Sequence, residues 1–337
     1  MSNKTEMSLH RHAKGSVHGA MMLLVASMLC FGSPTARAQI LYVTNGTPGS
    51  ASESVSEYNA ATGALINPSF ITGLGFSATV AVSGSDLYVK QNYNGSTIGE
   101  YNAVTGALLN SSFVSGLQFP AGMTVSGTNL FVTEAIGAVA EFNANTGVAE
   151  QTFSSDHING VGATVYGNTL YADVNGGGGY VAEFNATTGA LINPTFIAGN
   201  YFMTVSGTDL VVVAANKNSQ IEELDPSTGA AVGNSLGESY DYQTIAASGT
   251  DVFYTLTMDS FIGEVNTVSG VDNFGFATDT NGPFSLAYSS LPAPAPVPEP
   301  GLTMLTLCGL GAVVTAATVR RSREKLSGVG SVMHERH

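Results

Sequence analysis

The stretch from Gln39 to Pro298 has almost nothing with which to do acid–base or nucleophilic chemistry. The two cysteines, Cys30 and Cys308, both fall in apolar runs near the ends, so this middle region has none. That excludes disulfides, thiolate metal centres and a cysteine nucleophile, and leaves stability to packing alone. Tryptophan is absent from the whole chain. Arginine is absent from the middle region, lysine occurs twice (Lys90 and Lys217) and histidine once (His157). A lone histidine in the loop 154–160 lacks the partners of a catalytic triad and reads as a solvated side chain. Against two lysines stand 21 acidic residues, a formal charge of −19. Such a surface repels phosphate backbones, which excludes nucleic acid as a partner. It is a solvated acidic surface that attracts divalent cations weakly, and no cofactor is expected.

Two further motifs are missing on inspection. Gly176–Gly179 resembles a phosphate loop in composition only, without the lysine or the strand-to-helix context. Asp173-Val174-Asn175-Gly176 and Asp279-Thr280-Asn281-Gly282 begin like calcium loops. Neither has the glutamate needed at the twelfth position, so both read as Asx–Gly turns.

The ends hold most of the basic residues. Lys4, Arg11 and Lys14 precede a short apolar core, Ala20–Phe31, and Ala36-Arg37-Ala38 follows. Positive leader, apolar core and small-x-small site together read as a signal peptide over 1–38, cut by signal peptidase after Ala38. At the other end, a proline-rich linker over 291–300 closes with Val297-Pro298-Glu299-Pro300. The uncharged run 301–319 follows, then Arg320-Arg321-Ser322-Arg323 and a basic tail over 320–337. Nineteen apolar residues at about 1.5 Å each reach roughly 28 Å, one hydrocarbon thickness, so a membrane-spanning helix is expected. The arginines put the tail in the cytoplasm and the body outside.

Between these ends lies an array over residues 39–290. An acidic residue, an apolar residue, Asn or Asp and a glycine-terminated turn recur as EYNAATGAL, EYNAVTGAL, EFNANTGVA, EFNATTGAL, ELDPSTGAA and EVNTVSGVD. The turn glycines are Gly63, Gly106, Gly147, Gly189, Gly229 and Gly270, 40 to 43 residues apart. Asn or Asp caps its own backbone two residues on and glycine takes positive φ cheaply, so each copy predicts a hairpin tip. A second turn precedes each tip, as in Ser83-Gly84-Ser85-Asp86. The second repeat thus divides into strands near 78–82, 86–91, 97–102 and 107–114. Four strands per forty-odd residues is the period of a propeller blade, and no segment has the 3.6-residue stripe of a helical solenoid. The first strand, ILYVT at Ile40–Thr44, matches the second strand of a blade, and FSLAYS at Phe284–Ser289 matches the missing first. The fold expected is all-β, a six-bladed propeller of four-stranded blades closed by pairing the two terminal strands, with the C-terminal helix in addition.

Two resemblances follow from these residues. Val297-Pro298-Glu299-Pro300, the apolar run and Arg320-Arg321 resemble the PEP-CTERM sorting signal of Gram-negative bacteria. That resemblance implies recognition by an exosortase and delivery to the cell surface or an extracellular matrix. The array resembles NHL-like and lactonase-like propellers in repeat length and turn. Lactonase-like members hold a divalent metal at one mouth, which makes Glu57, Glu100, Glu141, Glu183, Glu223 and Glu264 metal candidates if they face the channel. Their presence in every blade argues instead for a shared structural role, such as hydrogen-bonding a neighbouring turn. The function expected is a non-enzymatic surface or matrix protein binding exopolysaccharide or other surface proteins. A metal-dependent lactonase-like hydrolase is the alternative.

Overall fold

A computed structural model describes residues 39–289, apart from 47–52, 76–78, 92–96, 135–137, 155–161, 175–178, 200, 215–218, 257–259 and 279–281. Both terminal signals, with Ala36, Ala38, Val297–Pro300, Arg320 and Arg321, lie outside the described residues, as does His157. Among the described residues no helix is long and apolar enough to cross a membrane. The run 301–319 is not among them.

The described residues form 24 strands in six four-stranded antiparallel sheets. Blade 1 is β24 (Pro283–Ser289), β1 (Ile40–Asn45), β2 (Glu53–Asn59) and β3 (Leu65–Leu74), from the inside out. Blade 2 is β4 (Val80–Ser83), β5 (Asp86–Gln91), β6 (Thr97–Asn102) and β7 (Leu108–Val114). Blade 3 is β8 (Pro120–Ser126), β9 (Asn129–Glu134), β10 (Ala138–Asn143) and β11 (Ala149–Phe153). Blade 4 is β12 (Ala163–Tyr166), β13 (Thr169–Val174), β14 (Tyr180–Asn185) and β15 (Leu191–Ala198). Blade 5 is β16 (Tyr201–Ser206), β17 (Asp209–Ala214), β18 (Ser219–Leu224) and β19 (Leu236–Tyr240). Blade 6 is β20 (Tyr242–Ser248), β21 (Asp251–Leu256), β22 (Phe261–Asn266) and β23 (Asp272–Thr278). The first strands β4, β8, β12, β16, β20 and β24 touch in order around a closed ring. Closure is the expected one: β24 pairs antiparallel with β1, Tyr42 opposite Ala287 and Val43 opposite Leu286.

The second strand of each blade is apolar on both faces because it is sandwiched between neighbouring blades. Ile40–Val43 and Leu210–Val213 are buried throughout, whereas β3 is mostly exposed, Leu65 and Ile66 included. Each junction between blades has its own hydrophobic cluster, such as Tyr42, Val55 and Phe70 against Val80, Leu87 and Val89 between blades 1 and 2. The core is therefore divided into junctions, one after another around the ring. A fully buried leucine such as Leu87 contributes about 2–3 kcal/mol to its junction.

The turn between third and fourth strands has the predicted chemistry in all six copies. The backbone N–H two residues on donates to Oδ1 of Asn59, Asn102, Asn143, Asn185, Asp225 and Asn266, at 2.7 to 3.2 Å. Gly106, at φ 69°, closes its turn by donating to the Asn102 carbonyl. A Cβ there would sit 2.4 Å from the carbonyl oxygen of Phe70 on the preceding blade's outer strand. Glycine is thus required twice over, for its backbone angle and for close approach to the neighbour. Gly63, Gly147, Gly189 and Gly229 also press on the preceding blade, while Gly270 meets nothing within 4 Å.

Candidate functional site

The six repeated glutamates lie on the third strands β2, β6, β10, β14, β18 and β22, two strands away from the channel. Each blade holds one, so they are distributed around the ring and do not converge on a mouth. Among the described residues no group of three or more His, Cys, Asp or Glu side chains is placed to hold a metal ion. Their surroundings are cross-strand. Glu57 stands opposite Tyr42 on one side and Asn67 on the other; Glu100 stands between Tyr88 and Asn110 in the same way. Glu183 stands between Tyr171 and Asn193, and Glu264 between Phe253 and Asn273. Glu141 faces Phe131 and Gln151 and accepts a hydrogen bond from Asn129. Glu141, Glu183 and Glu264 hydrogen-bond Gln151, Asn193 and Asn273 on the fourth strand of their own blade, whereas Glu223 meets Thr267 in the turn of the neighbouring blade.

Burial raises the carboxyl pKa at all six. Glu57, only 7% exposed, is pushed up to about 7 by desolvation. Its neighbour Tyr42 is held above the usual tyrosine range by burial first and by the Glu57 charge second.

The tyrosine hydroxyls have a separate task that links blade to blade. Tyr42 donates to the Ala103 carbonyl of blade 2, and Tyr88 to the Ala144 carbonyl of blade 3, each at 2.5 Å. Tyr171 donates to the Pro226 carbonyl of blade 5, also at 2.5 Å. Blade 3 has Phe131 at this position, and Gln151 Nε2 supplies the donor to the Ala186 carbonyl at 3.1 Å. A buried carbonyl left unpaired costs about 1–3 kcal/mol, which gives the substitution its physical reason.

Among the described residues the channel is lined by neutral side chains. Its loop-face mouth, a cavity of about 290 Å³, is lined by Thr79, Gly122, Gly162, Phe202, Gln243, Thr244, Phe284 and Ser285. One position deeper, Val80, Met123, Ala163, Met203, Ile245 and Leu286 contribute one apolar side chain from each blade. No charged side chain lines the channel among the described residues. Sequence reasoning missed this ring, although the signal was local: each residue lies three positions before the end of the first strand. Near the same face Phe119 adopts φ 54°, strained for a bulky residue, and its ring is 53% exposed.

No protein-family model matches the chain, and no curated protein matches it in sequence. Its likenesses are structural. TolB from Acinetobacter baumannii is similar at a TM-score of 0.60 and 14% identity, over 80% of this chain and 71% of that one. A chain of a nidogen/laminin complex is similar at 0.56 and 13% identity, over 74% of this chain and 98% of that one. Hydrazine synthase of Kuenenia stuttgartiensis is similar at 0.50 and 12%, over 66% and 76%. At these identities the likenesses show the fold alone, an all-β, six-bladed propeller.

Proposed function

We propose that this chain is an exported surface or matrix protein, sorted by its C-terminal segment, whose propeller binds and does not catalyse. The observation that carries the reading is the order of parts. A signal-peptide pattern ending at Ala38 precedes a repeat array, and Val297–Pro300, an uncharged run and Arg320-Arg321 follow it. Signal peptidase and an exosortase are the processing partners; exopolysaccharide or a surface protein is the ligand class. The neutral lining of the channel supports binding over hydrolysis. A lactonase-like site needs several carboxylate or amide ligands converging from different blades, and Thr, Gly, Phe, Gln and Ser line the described mouth.

Fractionation of cells with and without the exosortase tests the reading. Loss of the enzyme should retain the protein in the inner membrane, with its C-terminal segment uncut and its mass increased accordingly. An unchanged distribution and mass would sink the sorting reading, and metal-dependent lactone turnover by the purified protein would sink the non-enzymatic one.

A further inference from the structure

Blade 5 departs from the repeat at two positions of its outer segment, and both departures open the same seam. The position that carries an asparagine or glutamine in the other blades, such as Asn67 opposite Glu57, is Gly233 here. The position of Phe70 on β3 is Leu236 here. The segment bows outward. It is bonded through Val232 N to the Glu223 carbonyl, then rejoins the sheet where Leu236 faces Ile221. Gly270 of blade 6 therefore has no neighbour to press on. An open groove of about 730 Å³ remains between this outer segment and the third-to-fourth-strand turn of blade 6.

The groove has mixed chemistry. Glu238 and the remaining acceptor capacity of Glu223, which already meets Thr267, offer carboxylate oxygens, while Asn234 and Ser235 add an amide and a hydroxyl. Asp272 serves the scaffold: its two oxygens accept from the Tyr254 hydroxyl at 2.7 Å and the Glu238 N–H at 3.3 Å. Among the described residues no basic side chain lines the groove. Further along the same strands, Tyr240 follows Glu238 and Phe274 follows Asp272, beyond the end of the groove. Their ring centroids are 4.9 Å apart, Phe261 packs on Phe274 at 4.1 Å, and Phe274 is 41% exposed. At about 3.4 Å per residue, Asp272 to Phe274 spans roughly 7 Å of strand.

We infer that this seam binds a neutral glycan segment, its hydroxyls donating to Glu223, Glu238 and Asn234 and an apolar sugar face lying on Tyr240 and Phe274. The inference deepens the binding reading proposed above and rests on it. Carboxylates accept only, and so match a ligand rich in hydroxyl donors. The same carboxylates, on a domain of charge −19, repel uronate, sulfate or phosphate groups. A basic peptide is the competing occupant, drawn by charge to the carboxylates, and the titration separates the two.

The test uses the full chain in detergent, titrated calorimetrically with cellohexaose, laminarihexaose, maltohexaose, oligogalacturonate and hexalysine. At least one neutral hexasaccharide should bind saturably and oligogalacturonate should not. Gly233→Asn accepts some backbone strain at φ 91° but adds a side chain where nothing lies within 4 Å; in protein whose thermal melt shows it folded, the amide restored over Glu223 should weaken binding at least tenfold. Phe274→Ala should weaken it about fivefold, and Leu191→Ala on blade 4 should leave it unchanged. Failure of all three neutral sugars, binding indifferent to Gly233→Asn and Phe274→Ala, or binding of hexalysine alone would overturn the inference. Those outcomes are read on purified protein and leave the exosortase fractionation result standing.

Discussion

The junction between blades 1 and 2 and the junction between blades 5 and 6 are built from the same repeat, yet they differ in their outer cross-blade contacts. At the first, the Tyr42 hydroxyl reaches the Ala103 carbonyl and Gly106 presses against Phe70. At the second, Val211 stands where the tyrosine was, Leu236 replaces the phenylalanine and Gly270 meets open space. Hydrophobic packing persists at both, through the cluster of Leu87 and Val89 at one and of Val252, Tyr254 and Val265 at the other. Closing the ring thus requires the buried clusters, and the outer devices can be dropped at one junction without opening it. The repeat carries stability, and a departure from it creates a distinctive surface.

The widest contrast is expected from one substitution made twice. Gly106→Ala adds a Cβ at positive φ and 2.4 Å from a backbone carbonyl, and should cost about 3–4 kcal/mol. Gly270→Ala meets only the backbone penalty and should cost about 1–2 kcal/mol. Urea denaturation of the two variants measures the gap, and equal losses would break the comparison.

Acidity should separate the junctions next. Glu57 binds its proton more tightly folded, with a pKa of about 7, than unfolded, at about 4.3. Its contribution is whole below about pH 4 and is lost as pH rises through 7, on the order of 2–3 kcal/mol. Glu57→Gln should flatten the stability profile between about pH 4 and 7. Glu223→Gln, on the wall of the open groove, should flatten it less. Thermal melts across that range decide between them.

A smaller effect is expected from the tyrosine donors. Tyr88→Phe should cost about 1 kcal/mol by removing one buried hydrogen bond. Phe131→Tyr should change stability by less than about 0.5 kcal/mol, because Gln151 already serves the Ala186 carbonyl. In a Gln151→Ala background the same Phe131→Tyr change should recover part of the loss, and a double-mutant cycle reads that recovery.

The features that could be read from the sequence are the ones encoded within a few residues. Asn102 and Gly106 specify a hairpin tip without help from elsewhere, and the unmatched strand at Ile40 announces its partner at Phe284. The position of Glu100 was also legible, since a third strand at 97–102 already removes it from the channel. Contacts between blades were not, because they join residues such as Tyr42 and Ala103 that are 61 positions apart, with no local pattern. The segment GAAVGNSL of blade 5 is visibly unlike GALINPSF of blade 1, but in one dimension it reads as drift. Only the ring geometry turns that drift into a groove.

Ring closure has a consequence for the order in which the protein is made. Thr44 and Ser285 are 241 positions apart, and their strands are the first and last of the array. Five blades consist of consecutive strands and can form as each is synthesised; blade 1 has only three of its four until β24 arrives. A nascent chain therefore carries an open inner edge on its first blade for nearly the whole of translation, and locks with its final strand. Stopping synthesis just before Pro283 would remove one strand in 24 and leave the other 23 without a latch.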